Sequence, residues 1–272
     1  MNQISLFRRL RALSAPSCWL LLGLLCQHVL VSAQNLDIYT EDWPPISYAN
    51  ADKKAEGMAV EVVQALQERL GSTNVVQVVP WARGYNAVLE EPNVMLFTMG
   101  RSEEREKLVV LLGPVVISNT ALYTRKGNAA RLLAMGEGMR KLPVGAYHSS
   151  IFADTARKKG YTNISEASKP QTIATMLLRG RFDLWVEGSL VVPSIIKEIG
   201  HAPDEVEQVM VLDSLELYLA FSRKTPASTI KAWEEAFRWL KKSGGYAKIY
   251  KKWLPGETPP MEVVRLGTSS AP

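Results

Sequence analysis

Val94-Met95-Leu96-Phe97-Thr98-Met99-Gly100-Arg101-Ser102-Glu103-Glu104-Arg105-Glu106-Lys107 changes from an apolar run to a charged one at a single glycine. Val94 to Thr98 reads as a buried strand, and the charged segment that follows reads as a junction leading into a surface helix. Upstream the same alternation repeats. Ala82 to Glu90 is a predicted helix and Val75 to Val79 a β-branched strand. Glu56 to Leu70 is a second helix, with Ala59, Val62, Val63, Leu66 and Leu70 on one face and Gly71 as the stop. Leu36 to Thr40 is the first strand. The run is βαβαβ, which predicts an α/β fold with a largely parallel sheet.

Downstream, Val115 to Thr124 is a long extended stretch, and a second series follows it. Leu142 to Tyr147 and Phe182 to Val186 read as strands. Ile151 to Lys159, Gln171 to Arg179 and Val192 to Ile199 read as helices. Val206 to Leu212 and Leu217 to Ser222 are extended again. The last part is a helical pair: Ile230, Trp233, Phe237 and Leu240 form one stripe after Thr225-Pro226, and Tyr246 to Trp253 follows the break at Gly244-Gly245. After Pro255 the composition turns to Pro, Gly, Ser and Thr, which predicts a flexible tail over 256–272. Two series joined by extended segments imply two lobes with a crevice between them, where α/β sheets bind ligands beyond the carboxyl ends of their strands.

The N-terminus sets the expected compartment. Arg8, Arg9 and Arg11 precede the apolar run Trp19 to Leu25, and Val31-Ser32-Ala33 offers small residues for cleavage. The apolar core is too short to span a bilayer, so residues 1–33 read as a secretory signal peptide and the expected location is the periplasm. Both cysteines, Cys18 and Cys26, lie inside that segment. Leu25 stands where a lipoprotein signal usually has a small residue, which argues against lipidation of Cys26. Cleavage leaves roughly 240 residues, enough for two modest lobes. It also removes three arginines from a formal charge of +5. The remainder is close to neutral with interspersed signs, which does not predict nucleic-acid binding.

Enzyme motifs are absent from the sequence. His148 and His201 are in no metal-ligand spacing, and there is no G-x-S-x-G elbow, P-loop or G-x-G-x-x-G. No catalytic residue, metal or cofactor is expected, although acid–base work by carboxylates alone stays open. Candidate ligand contacts sit at the crevice ends of strands. Asp42-Trp43-Pro44-Pro45-Ile46-Ser47-Tyr48 follows the first strand, with two prolines expected to hold it extended. Trp43 and Tyr48 either lie against a ligand or cover the sheet edge. Trp81 and Arg83 open a helix at the same end. Arg101 and Arg105, four apart, either clamp a carboxylate or pair with Glu103, Glu104 and Glu106 on the surface. Ser149 and Ser150 suit an anion or an ordinary N-cap. Glu187 follows a strand and could meet a ligand ammonium, act as a general acid or cap the next helix.

Four pieces of the chain together resemble the family 3 extracellular solute-binding proteins, the polar amino acid receptors of ABC transporters. They are Trp43-Pro44-Pro45-Ile46 with Gly57-Met58-Ala59-Val60-Glu61-Val62; Gly100-Arg101-Ser102-Glu103-Glu104-Arg105; Gly180-Arg181-Phe182-Asp183; and Gly244-Gly245-Tyr246-Ala247-Lys248-Ile249-Tyr250-Lys251-Lys252-Trp253. The resemblance runs from about Leu36 to Trp253. It implies a type II periplasmic binding protein fold: lobe 1 over 34–119 and 217–255, lobe 2 over 120–216, and two hinge strands. It also implies that Arg105 grips a ligand carboxylate and Trp43 stacks on the ligand. Thr98 and Gly100 would add polar or backbone contacts, and Ser149 and Ser150 would complete the anion site. The chain departs from the family pattern where the acid expected five residues past Asp183 is Gly188, with Glu187 one residue early, and where the second lobe lacks a Gly-Thr-Thr type loop. The expected partners are a small polar ligand and a membrane permease of an ABC transporter, with a membrane sensor as the alternative, and the expected state is a monomer. A cyclohexadienyl dehydratase-like enzyme is the remaining alternative.

Overall fold

The computed structural model describes residues 36–271; the signal peptide and both cysteines read from the sequence lie outside the described residues. No helix among the described residues is long and apolar enough to cross a membrane.

The chain opens with strand β1 (Asp37–Thr40), followed by a two-strand ribbon of β2 (Tyr48–Ala49) and β3 (Ala55–Glu56). Helix α1 (Met58–Leu70) leads to β4 (Val76–Val78), α2 (Trp81–Glu90), β5 (Val94–Gly100) and the short α3 (Glu103–Leu108). Strand β6 (Val109–Arg125) carries the chain into the second half. There α4 (Ala129–Leu133), β7 (Val144–Tyr147), α5 (Ile151–Lys158), β8 (Ile164–Ala167), α6 (Pro170–Leu178), β9 (Leu184–Gly188) and α7 (Val192–Glu198) follow. Strand β10 (Val206–Ser222) returns, and α8 (Ala227–Lys242), α9 (Gly245–Trp253) and β11 (Val264–Leu266) complete the chain.

The nine-stranded sheet has the order β4-β1-β5-β10-β6-β9-β7-β8, with β11 also on β6. Strands β4, β1 and β5 are parallel, as the βαβαβ pattern requires. Strand β10 then joins β5 antiparallel, and β7 lies parallel between β8 and β9. Strands β6 and β10, each 17 residues long, pair antiparallel from Val109↔Ser222 to Arg125↔Val206. They run through both halves of the sheet, and three register shifts interrupt their ladder. This is the type II arrangement of two α/β halves sharing two long strands.

Periodicity accounts for the packing. All seven residues of β5 are buried, as a strand covered on both faces must be. Met58, Ala59, Val62, Val63 and Leu66 bury one face of α1, and Gly71 ends it in the left-handed conformation at φ 66. The stripe Ile230, Trp233, Phe237 and Leu240 of α8 is buried as its spacing predicts. Helices α8 and α9 pack on α1, so the first half is closed by the C-terminal part of the chain. Trp253 Nε1 and Lys252 Nζ both donate to Glu61 on α1, at 2.7 Å each.

Two local expectations are corrected. The segment after β1 is not extended: Trp43 and Ser47 bridge antiparallel, and the chain doubles back in a tight turn. Proline restricts its own φ and the residue before it, but leaves the direction of the following chain to tertiary contacts.

The tail is not loose. Val264 to Leu266 pair with Leu111 to Gly113 of β6, and Ser270 N donates to the Arg223 carbonyl at 2.7 Å. The buried Lys241 of α8 donates from Nζ to the carbonyls of Pro114 (2.9 Å) and Glu262 (2.6 Å), tying tail to sheet. Composition misjudged this segment because an open strand edge offers backbone donors and acceptors that need no apolar run to fill them. A chain ending at Pro255 is expected to melt about 4–8 °C lower, the equivalent of about 2 kcal/mol in a protein this size. Circular dichroism would read this, and an unchanged transition would mean that β11 contributes nothing.

Candidate functional site

Thr98 and Gly100 stand at the end of β5, beside the end of β1, and Arg105 follows on α3. Ser102 caps α3 by accepting from Arg105 N, which sets the helix start. The Arg105 side chain thereby turns back to the strand end, where Nη1 donates to the Gly100 carbonyl at 2.9 Å. Arg105 is only 6% exposed. Its guanidinium carbon lies 5.1 Å from the Trp81 ring centroid and 5.3 Å from that of Tyr85. Those two rings are four residues apart on α2 and stack on each other. Among the described residues Arg105 forms no ion pair, and its side chain makes one hydrogen bond, the one to Gly100. A nearly buried cation favours an anion beside it, and the carboxyl that feels its charge here is Glu41.

Thr98 is 3% exposed and takes φ 67, an uncommon conformation for a β-branched residue. Its hydroxyl donates to the Phe97 carbonyl and lies 3.5 Å from that of Thr40. From the second half, Ser150 caps α5 by accepting from Ala153 N, and Ile151 and Phe152 follow on the helix. Trp43 comes across from the turn after β1, 2% exposed, with its ring 6.1 Å from Phe152.

These residues converge. A small enclosed cavity is lined by Trp43, Trp81, Thr98, Gly100, Arg105 and Ser150, together with Glu41, Tyr147, Phe152 and Leu217. Its open volume is about 10 Å³, room for about one water. A wider groove of about 630 Å³ lies outside it, lined by Arg105, Ser149, Tyr85, Glu104, Lys158 and Glu166 among others. Between the halves, Trp81 Nε1 donates to the Ser149 carbonyl at 3.1 Å, and Lys158 Nζ reaches Glu104 Oε1 at 2.9 Å.

Glu41 and Tyr147 were not singled out in the sequence. Glu41 is the residue right after β1, so its position at a strand's carboxyl end was the available signal. Burial pushes its carboxyl up to about 7, against the pull of the Arg105 charge and the Tyr147 hydroxyl. Tyr147 ends β7, the same kind of position; burial and the neighbouring Glu41 and Glu187 hold its hydroxyl protonated.

Other candidates fall elsewhere. Arg101 pairs on the surface with Glu106 (2.6 Å) and Glu216 (3.1 Å), the bland alternative left open for it. Tyr48 donates to Glu56 within its ribbon at 2.8 Å. Arg83 is on the exposed face of α2 and lines neither opening. Helical geometry explains the split, since neighbours two apart point to different sides. Glu187 is fully buried but does not line the cavity. It lies beneath Trp43, with Oε1 accepting from Gly188 N at 2.9 Å. Burial pushes this carboxyl up to about 8, with Glu41 adding to the shift. The indole N–H groups of Trp43 and Trp185 oppose it, though neither closes a full hydrogen bond. No cluster able to hold a metal occurs among the described residues.

Trp81→Phe is expected to weaken ligand binding about fivefold, the worth of one hydrogen bond of about 1 kcal/mol between the halves. The ring stack under Arg105 would survive the change. Titration calorimetry against the tightest binder among the common amino acids and small carboxylic acids would read it, and unchanged affinity would remove Trp81–Ser149 from the binding energy.

The model of the bacterial extracellular solute-binding proteins, family 3, matches residues 37–256. No curated protein matches significantly. Among solved structures, a histidine kinase sensor domain with similarity to periplasmic binding proteins superposes with a TM-score of 0.71 at 21% identity, covering 83% of this chain and 98% of that one. The arginine-, lysine-, histidine-binding protein of the thermophilic bacterium Geobacillus stearothermophilus gives 0.70 at 16%, covering 82% and 96%. An ancestral amino acid-binding protein, precursor of cyclohexadienyl dehydratase, gives 0.68 at 20%, covering 80% and 94%. At such identities the likeness speaks to the fold, which these structures share with this chain.

Proposed function

Since this chain belongs to the bacterial extracellular solute-binding proteins, family 3, we propose that it is a periplasmic receptor that closes around a small carboxylate-bearing solute, an amino acid or a related compound, for an ABC importer. The observation that carries this reading is Arg105: a nearly buried guanidinium with one hydrogen bond and no ion pair among the described residues, beside an aromatic pair at the cleft. A carboxylate there completes two parallel hydrogen bonds in a water-poor place. Thr98, Gly100 and Ser150 surround it with short polar groups, and Trp43 and Phe152 supply an apolar wall. Lobe 1 over 34–119 and 217–255 brings Arg105 and Trp43, and lobe 2 over 120–216 brings Ser150 and Phe152. Bending at β6 and β10 opens the cleft, and ligand bound to both lobes favours the closed form that a permease recognises.

A calorimetric screen of the mature protein against the common amino acids and small carboxylic acids tests this. Binding of at least one, with the carboxylate required, is the expected result. A panel of esters or decarboxylated amines that binds equally well would refute it.

The dehydratase reading has one observation in its favour, the proton held on Glu187 near neutral pH. That carboxyl lines neither the cavity nor the groove, which favours binding over catalysis. Incubation with prephenate or arogenate is expected to give no product. Transport and sensing differ in their membrane partner, and permease and ATPase genes beside the coding sequence would favour transport.

A further inference from the structure

Of the seven buried side-chain atoms that close no full hydrogen bond among the described residues, three share one location: Glu187 Oε2 and the indole nitrogens of Trp43 and Trp185, whose N–H groups face that carboxyl. Buried polar atoms are nearly always satisfied, so three orphans in one place call for a physical cause. Trp185 and Glu187 are two apart on β9 and therefore face the same side. Trp43 arrives from the other half of the molecule. Gly188 makes room for it: a Cβ at that position would come within 2.6 Å of Trp43 Cζ2 and 3.2 Å of Phe152 Cζ. The indole thus covers a carboxyl that belongs to the opposite half, and no cation among the described residues pairs with it.

The titratable groups around Glu187 are Glu41 from the loop after β1, Tyr123 from β6 and Tyr147 from β7, with Arg105 of α3 beyond Glu41. Glu41 disfavours a second negative charge, and the two tyrosines are neutral across the physiological range. A neutral Glu187 fits beneath the indole at small cost. For an ionised one the Gly188 and indole N–H groups offset only part of the burial cost; water would offset more, and it enters only if Trp43 lifts away.

We propose that Glu187 is the positioning residue of the aromatic wall: its neutral carboxyl seats the Trp43 indole across the cleft, so that closing the two lobes takes up a proton from solvent onto Glu187. The proposal rests on the hinged-receptor reading above. Opening exposes the carboxyl and returns it toward its ordinary value of 4.5, whereas the closed form holds it near 8. Proton binding therefore favours closure. Ligand affinity is full at low pH, falls as pH rises between those two values by at most about tenfold per unit, and levels off above the upper one.

The test is an intrinsic tryptophan fluorescence titration of the ligand-free mature protein from about pH 3.5 to about pH 9.5, a range that covers the values of the open and the closed form and stays below tyrosine ionisation. The parent is expected to show a transition within this range. Glu187→Gln, which keeps the shape of the neutral acid, is expected to lose it and hold the parent's low-pH emission throughout. Trp43→Phe is expected to lose it too, which identifies the reporter. Glu41→Gln is expected to keep it, moved to lower pH. A parent without any transition, or a transition that persists in Glu187→Gln, would overturn the proposal. Should Glu187→Gln not fold, calorimetry of the parent at neutral pH in buffers of different ionisation enthalpy decides: net proton uptake on ligand binding supports the proposal and zero uptake overturns it. A screen that finds no ligand bears on the receptor reading alone, because the fluorescence titration needs none.

Discussion

Arg105→Ala is expected to weaken binding of the best panel ligand by at least about 30-fold while leaving the melting temperature within a few degrees of the parent. Truncating one partner of a buried charge pair costs about 2–5 kcal/mol, and the lower bound corresponds to that factor. The fold should tolerate the loss. Arg105 makes one hydrogen bond, to the Gly100 carbonyl, and no ion pair among the described residues. Removing a poorly solvated charge offsets part of what that bond contributes. Arg105→Lys should not restore binding, since an ammonium on a flexible stem cannot offer two parallel donors to a carboxylate. A fully retained affinity in Arg105→Ala would move the site elsewhere, with the outer groove the next place to look.

The second large effect belongs to Gly57. Its φ is 126 and ψ 172, and a Cβ there would meet the Ile46 carbonyl oxygen at 2.6 Å, its carbon at 2.8 Å and Ser47 Cα at 2.9 Å. All three are backbone atoms, so no rotamer change relieves the clash. Gly57→Ala is expected to destabilise by about 3 kcal/mol or more, a melting point lower by about 6–12 °C. Ile46 and Ser47 belong to the turn that carries Trp43, so ligand affinity should fall along with stability. Gly71→Asn provides the contrast. That glycine is also left-handed but has open space around it, and asparagine tolerates the conformation, so a cost under about 1 kcal/mol is expected. Equal melting points for the two variants would show that backbone approach at Gly57 is not what limits it.

The parts of this fold that were legible in the sequence are those governed by local period. The βαβαβ run, the apolar stripes of α1 and α8, and the glycine stop at Gly71 follow from spacing and hold in the structure. Strand β8 and the return of β11 to β6 were not legible, because each is short and stabilised by a neighbour's edge rather than by its own pattern. The same division applies at the site. Thr98, Gly100, Arg105 and Ser150 meet because each stands at a strand end or helix start that periodicity can find. Arg101 looked equivalent to Arg105 but points to Glu106 and Glu216, a choice made by the Ser102 cap and the side of α3 that faces the sheet. Glu41 follows β1 directly, but a lone carboxyl in a polar stretch has no pattern that marks it as buried; its burial comes from tertiary packing. Glu187 stands at the carboxyl end of β9, a position that periodicity locates, while its cover by Trp43 depends on a contact between distant parts of the chain.

The closing of the first half by α8 and α9 bears on the order of events during synthesis. Helix α1 emerges early, yet the surface that covers its apolar face is among the last made, with the entire second half in between. Contacts of such long sequence separation form late and slowly. A nascent chain therefore cannot lock its first core before translation is nearly over, and stays pliable until then.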